Sequence, residues 1–155
     1  MTDPNPVHQK IAKIKRLVIQ HPQYKAAYTA IVDAYEMRAN VGVAQHFVCV
    51  GPSGTGKSTL KEMIRKAYPP ESLDDREITP VLCVDTPSQP TIRNMAEAML
   101  LQMGEPCFAR GSAIDKTNRI LNLVKEKKVR LIIFDELQHF IDQGRKKSPQ
   151  EVSDW

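Results

Sequence analysis

The sequence predicts an α/β domain in three layers, a parallel sheet covered by helices on both faces. Three observations predict it. The short apolar runs HFVCV (46–50), VLCV (81–84) and RLIIFDE (130–136) read as buried strands. Stretches of helical period separate them. A glycine-rich loop, GPSGTGKST (51–59), stands between the first run and the helix after it. Ligands of such sheets bind at the carboxyl ends of the strands, where this loop and the pair Asp135–Glu136 both fall.

The first forty residues read as a helical prelude. Val7, Ile11, Ile14 and Val18 recur at helical spacing, with Lys10, Lys13, Lys15 and Arg16 between them. HPQ (21–23) breaks that helix, and Pro22 suits the first turn of the next one. Tyr24, Tyr28, Ile31 and Tyr35 form its stripe, and NVG (40–42) ends it. The expected division is thus a helical segment, 1–42, and a core, 43–155. Beyond the glycine loop, Leu60, Met63, Ile64 and Ala67 mark a helix face that stops before PP (69–70). After the second strand, Ile92, Met95, Met99 and Met103 mark a helix begun near Thr91 and stopped by Gly104. A further helix spans about 112–127, with Leu121 and Val124 facing inward.

Size and composition bound the function. The chain has 155 residues, enough for one domain with a core. It is 41% hydrophobic and 26% charged, ordinary for a soluble globular protein. No apolar stretch approaches the ~20 residues of a membrane helix, and the start lacks an apolar signal core. The expected place is the cytoplasm. A net charge of +4 permits contact with a nucleic-acid backbone without demanding it. Cys49, Cys83 and Cys107 form no C-x-x-C pair, and no histidine pair has metal-ligand spacing. Cys49 and Cys83 lie in apolar runs and read as buried free thiols.

Gly51-Pro52-Ser53-Gly54-Thr55-Gly56-Lys57-Ser58 fits G-x-x-x-x-G-K-[ST] in full. Glycines permit backbone angles that turn successive N–H groups inward into an anion-binding nest. The following helix adds its unpaired N–H groups and positive dipole end. Lys57 is expected to reach the β- and γ-phosphates of ATP, Ser58 to ligate Mg²⁺, and Thr59 to add a phosphate contact. Strand, loop and helix stand in the required order. The strand ending in Asp135 places a carboxylate beside the metal, and Glu136 can orient an attacking water. The 78 positions from Lys57 to Asp135 leave room for an intervening strand. A nucleotide kinase would want an acceptor pocket and an arginine-rich lid, and a switch GTPase would want N-K-x-D; the sequence shows none of these. ATP hydrolysis is the better reading.

FVCVGPSGTGKST, PVLCVDTPSQPTIRNMAEAMLLQMGEP and VRLIIFDELQHFI together resemble the AAA+ ATPases of the TniB/TnsC transposition-regulator family, relatives of the Mu B protein. The proline-punctuated stretch after the second strand and the DE-x-x-H after the third are the specific parts. HPQY (21–24) also resembles the family's N-terminal region. The resemblance covers residues from about 10 to the end. It implies a P-loop fold with Walker A and Walker B motifs. It implies ATP and Mg²⁺ as cofactors, with Gly51 to Thr59 on phosphate, Ser58 and Asp135 on metal, and Glu136 and Lys57 in catalysis. It implies rings or helical filaments on double-stranded DNA, recruitment of a transposase, a target-selection partner, and disassembly on hydrolysis. The local candidates for DNA contact are the stretch Ser88 to Arg93 and the loop Arg110 to Lys116, with Arg93, Arg110 and Lys116 as the cations. Thr86 stands where a polar residue would restrain Glu136, and His139 lies one turn beyond Glu136.

The same resemblance implies a five-stranded core ordered 5-1-4-3-2, of which three strands are visible. QEVSDW (150–155) reads as the start of the helix before the fourth. The expectation is therefore the N-terminal part of such a core, with sensor and arginine-finger residues beyond Trp155. In that order the first strand would stand without a neighbour. Such a piece would bind nucleotide poorly and hydrolyse it very slowly, since such fingers contribute about 10³ to 10⁵ in rate. Two other readings remain open: a helicase-loader or replication-initiator ATPase, and a non-hydrolysing module that pairs with full-length subunits.

Overall fold

A computed structural model describes residues 21–139. The expected helix through Val7 and Val18 and the segment 150–155 lie outside the described residues.

Helix α1 (Pro22–Glu36) starts where proline was expected to start it. His21 caps it, its Nδ1 accepting from the Tyr24 amide at 3.3 Å. A π-helical turn (Met37–Val41) extends it, and Gly42 ends it at φ +79°, a left-handed angle that glycine adopts at little cost. Helix α2 (Lys57–Ala67) follows the glycine loop directly. A small antiparallel pair, β1 (Glu71–Ser72) and β2 (Glu77–Ile78), comes next and was not foreseen. Strand β3 (Val81–Asp85) leads through a proline-rich turn to α3 (Ile92–Gln102), capped by Thr91. Helix α4 (Ala113–Glu126) then leads to β4 (Leu131–Asp135).

Strands β3 and β4 pair in parallel, Val81 opposite Leu131 and Asp85 opposite Asp135. Helices cover both faces. On one side Leu82 and Val84 pack with Ala96, Met99, Leu100 and Met103 of the α3 region and Ile120 of α4. On the other, Val81 packs with Leu60 and Ile64 of α2 and with Tyr24, Ile31 and Tyr35 of α1. This is the expected three-layer α/β arrangement, built on a small parallel sheet. Among the described residues no helix is long and apolar enough to cross a membrane.

Four expectations need correction. HFVCV (46–50) is not a strand: no described strand pairs with it, and Val48 and Val50 are 74% and 88% exposed. Apolar, β-branched composition favours extended backbone, but a strand exists only when a neighbour takes its amides and carbonyls. Cys49 is accordingly exposed rather than buried. Only Cys83 keeps the expected setting, half-buried in β3, where burial pushes its thiol up. On α4 the inward residue is Ile120, with Leu121 exposed, and on α2 Ala67 is exposed while Tyr68 stacks on Tyr35.

Helix α4 opens with a capping box. The Asp115 amide donates to Ser112 Oγ, and the Ser112 amide donates to the Asp115 carboxylate. The Ser112 hydroxyl also donates to that carboxylate, at 2.7 Å, and it together with the Ser112 amide holds the Asp115 carboxyl below its ordinary 3.8. The stabilisation is therefore present above pH 3.8 and lost as pH falls through the lower folded value. Ser112→Ala should cost about 1 kcal/mol at neutral pH, with a smaller further loss in acid than the parent shows. Urea denaturation at neutral pH and below pH 3.8 checks this; an unchanged midpoint at neutral pH would mean the box does not form.

Candidate functional site

The glycine loop is exposed and leads straight into α2. Gly54 and Gly56 adopt φ +82° and +92°, the left-handed region that a side chain disfavours. Gly56 is the residue that starts the helix, and it lies against the buried ring of Tyr24, where an added Cβ would stand 3.6 Å away. The Tyr24 hydroxyl donates to Met63 Sδ at 2.7 Å. The prelude helix thus props the loop from behind.

Lys57 folds over the loop. Its Nζ donates to the carbonyls of Gly51 (2.7 Å) and Pro52 (2.8 Å). Thr55 Oγ1 donates to the same Pro52 carbonyl at 2.8 Å. Neutral carbonyls are weaker partners for an ammonium than a charged phosphate. The donor set therefore fits a polyphosphate: a lysine held by replaceable bonds, loop amides, and the unpaired N–H groups of a helix start. Ser58 lies exposed in the first turn of that helix.

Asp135 ends β4 with its side chain only 22% exposed. Lys61, one turn beyond Lys57 on α2, binds it at 2.7 Å and also reaches Asp85 at 3.1 Å. The Lys61 bond holds the Asp135 carboxyl below its ordinary range, against the opposing effect of burial. Burial alone would lower Lys61, but its bonds to Asp135 and Asp85 outweigh that, and its ammonium is pushed up to about 12. Lys57, Lys61 and Asp135 line one cleft of about 480 Å³, which the segment 44–49 also lines. Hydroxyl and carboxylate oxygens suit a hard cation such as Mg²⁺; of the two expected ligands Asp135 lines this cleft, whereas Ser58 is not among its lining residues.

Glu136 follows at φ +59°, a left-handed angle that is strained for a glutamate. Its amide donates to Asp135 Oδ1 at 2.9 Å, and its carboxylate accepts from Gln138 Nε2. Glu136 is exposed. The Thr86 amide donates to the Asp135 carbonyl at 3.0 Å, so the expected neighbour is in place. The Thr86 hydroxyl is buried and has no hydrogen-bond partner among the described residues, so it does not restrain Glu136 here. His139 is half-buried and bonds the Glu136 carbonyl through its own amide.

The three expected DNA-facing cations divide. Arg93 is exposed and pairs with Glu97 at 3.0 Å. Arg110 is exposed, while its carbonyl accepts from Lys116 and Arg119. Lys116 corrects the expectation. It is fully buried, and its Nζ is spent on the carbonyls of Phe108 and Arg110, each at 2.9 Å, and on Glu97 at 3.3 Å. It shapes the loop from inside and has no surface to offer a phosphate. The sequence reading missed Lys61, Asp85 and the prop of Tyr24. Two signals were available: Lys61 stands four positions after Lys57, and Asp85 ends an apolar strand just as Asp135 does.

The bacterial TniB protein model matches residues 10–154. The chain belongs to the TniB family. No curated protein matches the sequence significantly. Membership of the TniB family supports a nucleotide-binding, transposition-related function, in agreement with the loop geometry.

Truncating the Lys116 ammonium would leave the buried loop without its clamp, the Phe108 carbonyl losing its donor while the Arg110 carbonyl keeps Arg119. Lys116→Met should cost about 2 kcal/mol, a fall of about 4–8 °C in Tm for a chain of this size. A thermal melt equal to the parent's would mean that the buried clamp contributes nothing.

Proposed function

We propose that this TniB chain binds ATP with Mg²⁺ and hydrolyses it to regulate assembly on double-stranded DNA, where the assembly recruits a transposase. One observation carries the reading: the loop–helix unit and the strand ending in Asp135–Glu136 meet at the carboxyl edge of one parallel sheet, in a chain of this family.

The residues divide the work. The amides of Gly51 to Thr59 and the Lys57 ammonium bind and orient the triphosphate. Ser58 and Asp135 hold the cation, which when bound neutralises phosphate charge. Glu136, solvent-facing at the end of β4, orients a water for attack on the γ-phosphate. For that task its carboxylate must exchange Gln138 for the water. Arg93 and Arg110 supply exposed cations for the DNA backbone, which carries no base information. Binding should therefore depend strongly on salt.

The test is ATP-dependent retention of duplex DNA by the full chain. Lys57→Ala should abolish retention, a loss of at least about tenfold for a charged phosphate contact. Glu136→Gln should prolong it, because bound ATP then persists. If both variants bind DNA like the parent with no need for ATP, the proposal fails.

A further inference from the structure

The Lys61 contacts are not explained by phosphate binding. Residues Val81, Cys83, Leu131 and Ile133 all pack toward α1 and α2, and alternation carries Asp85 and Asp135 to that same face. Parallel register sets them side by side on neighbouring strands, about 4.8 Å apart. Two carboxylates so placed repel, and Lys61 bridges them from α2.

The bridge is unequal. The Lys61 and Asp135 side chains are 18% and 22% exposed, whereas Asp85 is 72% exposed. Solvent screens the Asp85 pair and leaves the Asp135 pair the stronger. Asp135 is also the one strand-end carboxylate assigned to the cation. A lysine bound to it competes directly with a divalent ion for the same oxygens.

We propose that Lys61 is a positioning residue that sets how readily the divalent cation is taken up, with Asp85 as its second berth. Before the cation arrives, Lys61 neutralises Asp135. When the cation takes the Asp135 oxygens, like charge drives the ammonium off, and Asp85 receives it one strand away. The exchange moves one ammonium between two carboxylates; no bond is made or broken and no proton leaves. This inference rests on the nucleotide reading above.

The experiment is a Mg²⁺ titration of a fluorescent ATP analogue binding to the full chain. Lys61→Met removes the competitor and should lower the Mg²⁺ midpoint about fivefold, the scale of a partly exposed ion pair. Asp85→Asn removes the second berth and should raise the midpoint by about the same factor. Lys61→Arg should stay near the parent. The double variant separates this from simple addition of charges. Without Lys61 the berth has nothing to hold, so Lys61→Met with Asp85→Asn should resemble Lys61→Met alone. A double variant that returns to the parent's midpoint overturns the berth. If the parent binds the analogue and Lys57→Ala does not, but no Lys61 or Asp85 variant shifts the midpoint, the inference fails while the nucleotide reading stands. If the parent binds no analogue at any Mg²⁺ level, both fail together. Asp85 is exposed, so its variant should fold even if the Lys61 variants do not.

Discussion

The parallel pairing of β3 with β4 is the constraint on which the rest depends. Its register brings Asp85 and Asp135 to one edge, and its two faces divide the apolar side chains into two cores. Burying Leu60 and Ile64 against one face fixes where α2 lies, and hence where its first turn presents Lys57 and Ser58. Chemistry at the edge follows from packing in the middle. The apolar stripe of α2 aims the same helix's polar residues at the ends of the strands.

Charge at this edge is arranged with care for its counter-ions. Lys57 rests on neutral carbonyls, whereas Lys61 rests on carboxylates. The first arrangement is readily exchanged for phosphate; the second holds acids that would otherwise repel. One turn of helix separates the two roles. The α3–α4 side uses lysine differently again, with Lys116 buried as the internal clamp of a loop.

Much of this was legible in the sequence because it depended on local rules. The motif spacing located the loop, proline and glycine located the helix ends, and the apolar runs located β3 and β4. What was illegible depended on partners distant in sequence. Val48 and Val50 have strand-like chemistry, but pairing decides whether a strand forms, and nothing in HFVCV states its neighbour. Lys116 reads as a surface cation until the loop carbonyls of Phe108 and Arg110 fold around it. Lys61 looks like any solvated helix residue until two strand ends meet beneath it. Family membership agrees with the loop and the acidic strand end, the parts whose chemistry is written most locally.

The central claim is that residues 51–59 cradle a triphosphate at the edge of this sheet. Amide hydrogen exchange with and without MgATP tests it most directly. The account predicts slowed exchange at the amides of Gly51 to Thr59 and at the β4 terminus near Asp135, with the α3–α4 layer unchanged. Exchange at the loop that is indifferent to MgATP, or protection confined to a different surface, would contradict it.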